Sequence, residues 1–468
     1  MSTSISSICF DSRETEQDCL FVAVRGTQVD GHDFIDQAVS GGATAIVCEE
    51  LPDKINELVT YVVTVNSAEA LGLLSSNFYN NPSRKLNLIG ITGTNGKTTV
   101  ATLLFKVFRE LGYNVGLLST VSNYINDKQI TASHTTPDAI QINALINEMV
   151  VAGCTHAFME VSSHALDQER VTGLHFAGGV FMNISHDHLD YHKTFDEYIK
   201  AKKKLFDLLP SSAFALVNLD DKRGQVMLQN TKASQSTFGL KFLTDHKARI
   251  LSDSFHGLEL EINGKQAWFQ LIGKFNAYNI LAVYAVGVLL GEDEDEMLLR
   301  LSSVTAAPGR FERVDGGFSI IAIVDYAHTP DALENVLQAI DGFRTGNEQV
   351  ITVVGCGGNR DKEKRPVMAS IAVKWSDKVI FTDDNPRNED PAQIIKDMQA
   401  GVGKSFVRKT LVIRDRKEAI KTACSMASAN DIILVAGKGH ENYQEINGIR
   451  HAFDDREVLR AMLELFKN

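Results

Sequence analysis

The chain has 468 residues, 44% apolar and 23% charged, with few prolines. That is an ordinary globular composition, and the length suggests roughly three domains at about 150 residues each. A net charge of −12 argues against wholesale nucleic-acid binding, while leaving room for local basic pockets that take anionic ligands. No apolar run approaches the ~20 residues that span a bilayer. The N-terminal MSTSISSICFDSRETEQ lacks the basic start and apolar core of a signal peptide. A cytoplasmic protein without membrane contact is therefore expected. Six cysteines, at 9, 19, 48, 154, 356 and 424, include no CxxC, so scattered buried thiols are expected rather than a disulfide framework or a zinc site.

In chain order, residues 1–86 form a first domain of short β and α units. A strand runs through CLFVAVRG, and HDFIDQAVSGGATAIVCEE reads as helix, Gly-Gly stop and strand. The polar YNNPSRKLN (79–87) reads as a linker into a second domain, 87–307. There LNLIGIT is a buried strand feeding a glycine-rich turn. The helix after it carries Val100, Leu103, Leu104, Val107, Phe108 and Leu111 at helical period and stops at Gly112. AAPGRFERV (306–314) marks the last boundary, giving a third domain at 308–468. In it SIIAIVD, QVITVVGC, DKVIFTD, TLVIRD and DIILVAG alternate with helical stretches, the pattern of an α/β domain with a mostly parallel sheet. Active residues of such sheets gather beyond the strand C-termini, where 325, 355–361, 383–387 and 437–441 fall.

GTNGKTT (93–99) lies between strand and helix. Lys97 and Thr98 match the end of a P-loop, but Ile91 occupies the place of its first glycine, so this is a shortened variant. Backbone N–H groups from Gly93, Thr94, Asn95 and Gly96 through Lys97, Thr98 and Thr99 can wrap phosphate oxygens at the helix N-terminus. Lys97 can neutralise the outer phosphates and Thr98 can ligate Mg²⁺. The plainer alternative is a glycine-rich turn with a solvated lysine.

HAFMEVSSH places Glu160 at the end of a short strand, a common position for a Mg²⁺-binding carboxylate, and NISHDHLDYH (183–192) packs three histidines and two aspartates together. No cysteine ligands or HExxH spacing favour zinc, and a polar loop of hydrogen-bonded histidines is the plain alternative. TFDEYIKAKKKLFDLLP opens with a capping box from Thr194 to Glu197. Lys202 falls inside the apolar stripe of Tyr198, Ala201, Leu205, Phe206 and Leu209, while Lys200, Lys203 and Lys204 point away as solvated lysines. Lys202 either snorkels to the rim or is a desolvated lysine able to react or be modified.

Together with DSR, TTPD, PGRFERV, DYAHTPDALE, GCGGNRDKEKRP, DNPR and GKGHENYQ, these stretches resemble the Mur ligases, the ATP-dependent amino-acid-adding enzymes of peptidoglycan synthesis. The resemblance covers nearly the whole chain and is nearest to the members that make UDP-N-acetylmuramoyl-tripeptide. It implies three domains: a UDP-binding α/β domain, a central P-loop ATPase-type domain with a parallel sheet, and a C-terminal Rossmann-like domain that binds the amino acid. It implies that Lys202 carries a carbamate made from CO₂ (N6-carboxylysine), and that Thr98, Glu160, His188 and the modified Lys202 form the metal site. Lys97, Lys202, His188 and Arg310 become the catalytic group. Asn276, Asn279, Arg310 and Asp325 fall near ATP. Ser12, Thr27, Gln28 and Val29 fall on the UDP moiety, and Thr135, Thr136, Ser162, Gln168 and Arg170 on the muramoyl-dipeptide. His134 stands where relatives often carry asparagine. The chemistry implied is phosphorylation of the D-glutamyl γ-carboxylate by ATP, followed by attack of an amine on the acyl phosphate. The expected partners are small molecules: ATP with Mg²⁺, UDP-N-acetylmuramoyl-L-alanyl-D-glutamate and an amino acid. A monomer is expected.

FTDDNPRNED (381–390) bears on the amino acid. In the family, members with DNPR generally add meso-diaminopimelate, and lysine-adding members lack the arginine. Diaminopimelate is lysine with a further carboxylate, which a guanidinium pairs in two-pronged fashion. Arg387 would bind it, with Asp384, Asn385 and Pro386 of the same turn and Arg360, Gly437 and Glu441 completing the pocket. The alternative is that Arg387 merely pairs with Asp383, Glu389 or Asp390. Rival readings are a lysine-adding ligase, a folylpolyglutamate-synthetase-like ligase, a nucleotide switch, and an NAD-dependent dehydrogenase suggested by GCGG, which lacks GxGxxG spacing.

Overall fold

The computed structural model describes residues 4–26, 29–132, 134–314 and 320–466. Thr27 and Gln28 lie outside them. Three sheets organise three α/β domains. The N-terminal sheet has four strands, Ser7–Cys9, Cys19–Val22, Ala43–Cys48 and Thr60–Val63, parallel and in sequence order. Helix Ser67–Phe78 starts where the Asn66 side chain accepts from Ala68 and Glu69 N–H, the usual way to satisfy first-turn donors. It packs on helix Ala139–Val151. The 79–87 stretch is docked rather than free: Asn80 and Asn81 take left-handed φ of 57° and 49°, and Ser83 Oγ accepts from His175 N–H at 2.9 Å.

Eleven strands form the central sheet. Its middle is parallel, with Asn87–Thr92 between Gly178–Phe181 and His156–Glu160. Both edges turn antiparallel, through Ser122–Ile125 and Lys128–Thr131 on one side and Gly257–Ile262 and Lys265–Phe269 on the other. Alternation along Asn87–Thr92 sends Ile89 and Ile91 to one face and Leu88 to the other. The first face is covered by helices Lys97–Glu110 and Lys274–Leu289, the second by Ala139–Val151 and Phe195–Asp207. Helix Lys274–Leu289 is buried nearly all round, which suits its almost uniform apolarity.

The C-terminal sheet runs in the order Glu312–Arg313, Ile321–Asp325, Ile432–Ala436, Val350–Val354, Lys378–Phe381, Thr410–Val412. All its pairings are parallel except the first. Helices Pro330–Phe343, Lys364–Trp375 and Pro391–Gln399 pack on one face, Arg416–Met426 and Asp455–Leu465 on the other. Asp325, Gly355, Thr382 and Gly437 thus leave the strands at one edge. The hairpin Tyr443–Ile446/Ile449–Ala452 is an addition that the sequence pattern does not announce.

Candidate active site

The phosphate loop is held from below. Thr94 N–H donates to Asn183 O and Asn95 N–H to Asn183 Oδ1, each at 2.9 Å. These two N–H groups are therefore not open to a phosphate, as the sequence suggested they would be, because the end of the neighbouring strand takes them. Helix Lys97–Glu110 begins after Gly96 (φ 89°) without a side-chain cap, so its first-turn N–H groups remain directed at the loop. A Cβ on Gly96 would stand 2.7 Å from Asn279 Oδ1; the residue must be glycine on both counts.

Lys97 Nζ donates to Gly93 O at 2.8 Å and Thr94 O at 2.9 Å. Lys202 Nζ donates to the same Gly93 O at 2.8 Å. Lys202 is 1% exposed, so the inward placement holds and the snorkelling alternative does not. Burial, then the neighbouring Lys97 charge, hold its pKa well below the usual lysine value. Of the lysines beside it, Lys200 is solvated and pairs with Glu197. Lys203 pairs with Asp207, and Lys204 bonds Glu169 at 2.9 Å, because helix Ser163–Asp167 packs along that side of Phe195–Asp207.

Glu160 is also 1% exposed. Its carboxylate accepts from Thr98 Oγ1 at 2.9 Å, Thr120 N at 2.7 Å and Thr120 Oγ1 at 3.2 Å. Arg310 Nη2 reaches from the C-terminal side to Thr98 Oγ1 at 3.0 Å, and its guanidinium lies 4.6 Å over the Tyr326 ring. His188 takes φ 55°. Partial burial and the His164 ring, 4.9 Å away by centroids, lower its pKa, while its Nε2 stands 3.3 Å from Asp187 Oδ2. Among the described residues no three His, Cys, Asp or Glu side chains already make a metal cage. The buried Glu160 carboxylate with the Thr98 hydroxyl is nonetheless an all-oxygen donor set of the kind Mg²⁺ takes, and a carboxylated Lys202 would extend it.

Beside the loop is a cavity of about 630 Å³ lined by Asn95, Thr99, Asn279, Arg310, Asp325 and Asp331, among others. Asp325 accepts from Phe311 N–H at 2.6 Å and Ala327 N–H at 2.7 Å, and burial raises its pKa to about 6. Asn276 instead bonds Asn279 Nδ2 at 2.8 Å and lines a separate cavity of about 740 Å³; it orients Asn279 from behind. Asp331, which the sequence pattern of DYAHTPDALE does not single out, accepts at Oδ2 from Asn95 Nδ2 at 2.7 Å and Ser185 Oγ at 3.2 Å, tying the C-terminal domain to the phosphate loop.

A cavity of about 1040 Å³ opens between the N-terminal and central domains. Ser12, Val29, Gln168 and Arg170 line it, and so do His134, Arg13, Arg25 and Lys204. Arg170 Nη1 bonds Thr136 O at 2.8 Å and its Nε bonds Gln168 Oε1 at 3.0 Å. Thr136 Oγ1 donates to Glu160 O at 2.9 Å, Thr135 accepts from Thr120 Oγ1 at 3.0 Å, and Ser162 Oγ accepts from Ala165 N–H at 3.2 Å. The cavity wall thus leads to the Glu160 strand end.

The turn 384–387 meets Gly437 and Glu441. Asn385 Nδ2 donates to Glu441 Oε2 at 2.8 Å, and the fully buried Lys438 Nζ donates to Asn385 Oδ1 and Glu441 Oε2, both at 3.0 Å. Lys438 belongs to GKGHENYQ, but nothing local in that stretch marks it as buried. Burial works to raise the Asp384 pKa, but Lys438 and Arg416 outweigh it and hold it below the usual value. Pro386 O lies where a Cβ on Gly358 would stand, 2.0 Å away. Arg387 has φ 51°. Its Nη1 donates to Gly358 O at 2.8 Å, and Nε stands 3.7 Å from Glu445 of the hairpin. None of the acids named as surface partners pairs with it: Asp383 pairs with Arg414, Glu389 with Arg365 and Lys362, and Asp390 caps helix Pro391–Gln399. Arg360 is exposed on the facing loop.

Residues 4–79 match the Mur ligase family, catalytic domain; 91–287 the Mur ligase middle domain; and 309–439 the Mur ligase, glutamate ligase domain. The chain is 59% identical over 461 residues to a Cytophaga hutchinsonii protein named UDP-N-acetylmuramoyl-L-alanyl-D-glutamate--2,6-diaminopimelate ligase, covering 98% of this chain and 95% of that one. It is 56% identical to the Phocaeicola vulgatus protein of the same name, covering 100% and 96%. Among solved structures it resembles a UDP-N-acetylmuramoyl-L-alanyl-D-glutamate--2,6-diaminopimelate ligase at TM-score 0.70 and 32% identity, covering 99% and 96%.

Proposed function

The chain belongs to the Mur ligase family, and from that membership we propose that it joins meso-diaminopimelate to UDP-N-acetylmuramoyl-L-alanyl-D-glutamate at the expense of ATP. A carboxylate is a poor electrophile, so the D-glutamyl γ-carboxylate first takes the γ-phosphoryl group. The amine then attacks the acyl phosphate, a tetrahedral intermediate forms, and phosphate leaves. Lys97 and Arg310 offset charge on the transferring phosphoryl group, from the loop and from the C-terminal side respectively. Asn279 and Asp325 orient the nucleotide. Mg²⁺, held by Thr98, Glu160, His188 and the carbamate on Lys202, would neutralise phosphate charge. The 1040 Å³ cavity takes the UDP-sugar peptide, with Ser12 on the nucleotide and Arg170 nearer the dipeptide. The Asp331 bridge to Asn95 and Ser185 keeps the two ATP-side domains together, which excludes water from the acyl phosphate. The domain limits 1–86, 87–307 and 308–468, a cytoplasmic setting and a monomeric state belong to the same reading.

The observation that carries the choice of amino acid is the state of Arg387. It is anchored through Gly358 O and a loose 3.7 Å ion pair with Glu445 of the hairpin, while Asp383 and Glu389 are engaged elsewhere. Its charge is then available to the second carboxylate of diaminopimelate, with Asp384, Asn385 and Glu441 for an ammonium. The test is phosphate release by purified enzyme with Mg²⁺-ATP. It should require both UDP-muramoyl-dipeptide and diaminopimelate, with lysine a much poorer acceptor. Equal or better use of lysine overturns the reading.

A further inference from the structure

All six cysteines are free and buried, yet two of them touch. Cys9 ends strand Ser7–Cys9 and Cys19 begins Cys19–Val22; Ser7 stands opposite Cys19 and Cys9 opposite Phe21. That register places both thiols on one face, and their Sγ atoms are 2.8 Å apart. A disulfide bond is about 2.0 Å long, so the sulfurs have little distance to close. They lie at the base of the connection 10–18 between the strands, which carries the 3-10 turn Ser12–Glu14, and Cys9 Sγ is 3.7 Å from Thr15 Oγ1. Phe10, Asp11, Ser12 and Arg13 of that connection line the 1040 Å³ cavity, and Ser12 Oγ donates to Gln37 Oε1 at 3.0 Å. The thiol pair therefore sits at the base of a loop whose tip is a cavity wall.

We propose that Cys9 and Cys19 form a reversible disulfide on exposure to a peroxide, and that this cross-link weakens binding of the uridine nucleotide in the cavity walled by Phe10–Arg13. The second half rests on the reading of that cavity given above; the cross-link does not. The Cys9 thiol, 2.8 Å away, hydrogen-bonds the Cys19 sulfur and favours its thiolate, lowering the Cys19 pKa, and Cys19 is therefore the nucleophile. Its thiolate attacks a peroxide oxygen, the O–O bond breaks, and the departing hydroxide takes the proton that Cys19 released, forming water and a sulfenic acid. Cys9 Sγ then attacks the Cys19 sulfur, the S–O bond breaks, and the second hydroxide takes the Cys9 proton. Two thiols are oxidised to one disulfide and one peroxide is reduced to two waters; a dithiol reverses the reaction.

Trypsin cuts after Arg13, and no Lys or Arg lies between Glu14 and Val24, so Cys9 and Cys19 fall in different peptides, 1–13 and 14–25. Peroxide-treated full-length protein, digested without reduction, should yield these two peptides joined, and dithiothreitol should separate them. Calorimetry with UDP should show affinity falling about threefold to tenfold on oxidation, the scale of one lost hydrogen bond, and returning on reduction. Cys9→Ala and Cys19→Ala should bind UDP with no response to peroxide. Absence of the joined peptides overturns the proposal, as does a joined pair with unchanged UDP affinity or the same loss in the alanine variants. If untreated protein binds no UDP, the reading of the cavity fails, and with it the binding half; the peptide map still decides the cross-link.

Discussion

Lys97 and Lys202 direct their amines at one acceptor, the carbonyl of Gly93, each from 2.8 Å. Two ammonium groups so close, one of them 1% exposed, disfavour each other's charge. The Lys202 pKa accordingly lies well below the usual value. A neutral amine is the form that reacts with CO₂, and the product carries negative charge, which Lys97 then favours instead of opposing.

Lys202→Ala should therefore abolish ligation while leaving the fold intact, and a short carboxylate such as acetate or propionate should restore part of the rate by entering the vacated space. Steady-state phosphate release with and without added carboxylate measures this. Full activity of the variant without rescue would remove the carbamate role.

Much of this site was legible in the sequence because it obeys local rules. The strand–Gly–helix order fixed the phosphate loop, and the 3.6-residue period put Lys202 inside an apolar stripe. Contacts between distant segments were not legible. That Asn183 takes the Thr94 and Asn95 N–H groups depends on strand order in the sheet. That Asp331 crosses to Asn95 depends on domain docking. Lys438 reads as one more basic residue in a loop until Asn385 and Glu441 enclose it.

Arg416 and Asp455 are both 0% exposed and joined by two 2.8 Å hydrogen bonds; Arg416 Nη2 also holds Ala436 O at 3.0 Å, one residue before Gly437. Asp455→Ala should cost about 3–5 kcal/mol, because it strands a buried guanidinium. The double change Arg416→Met with Asp455→Leu should cost less, since neither partner of the pair is left stranded and Lys438 still faces Asp384. Urea unfolding of the two variants makes the comparison; equal losses would mean that the charge is not what matters.

Burial alone lowers the His156 pKa from 6.5 to about 4. The unfolded chain then binds a proton between these values that the folded chain does not. The sign follows: stability is lost as pH falls below about 6.5, with a slope of about 1.4 kcal/mol per pH unit for each such histidine. His164, His328 and His440 are lowered in the same direction, so wild-type unfolding midpoints should drop steeply from pH 6 to pH 4.5. His156→Phe should flatten that limb by about one proton. An unchanged slope would mean that His156 is protonated in the folded state.

Arg387 calls for a particular truncation. Its φ of 51° is strained for alanine but tolerated by asparagine, so Arg387→Asn removes the guanidinium while preserving the turn. Its ion pair with Glu445, at 3.7 Å and partly solvated, is worth at most ~1 kcal/mol, and the Nη1 bond to Gly358 O adds about 1.5–3 kcal/mol, so the unfolding midpoint should fall moderately while the turn persists. The charge-assisted bonds to a substrate carboxylate are worth about 1.5–3 kcal/mol, so kcat/KM for diaminopimelate should fall roughly 10- to 100-fold. Lysine has no such carboxylate and gains from removal of a nearby cation, so its kcat/KM should hold or rise. The ratio of the two, measured on one preparation, separates recognition from general damage. A parallel loss for both amino acids would place Arg387 in the architecture of the turn rather than in the choice of substrate.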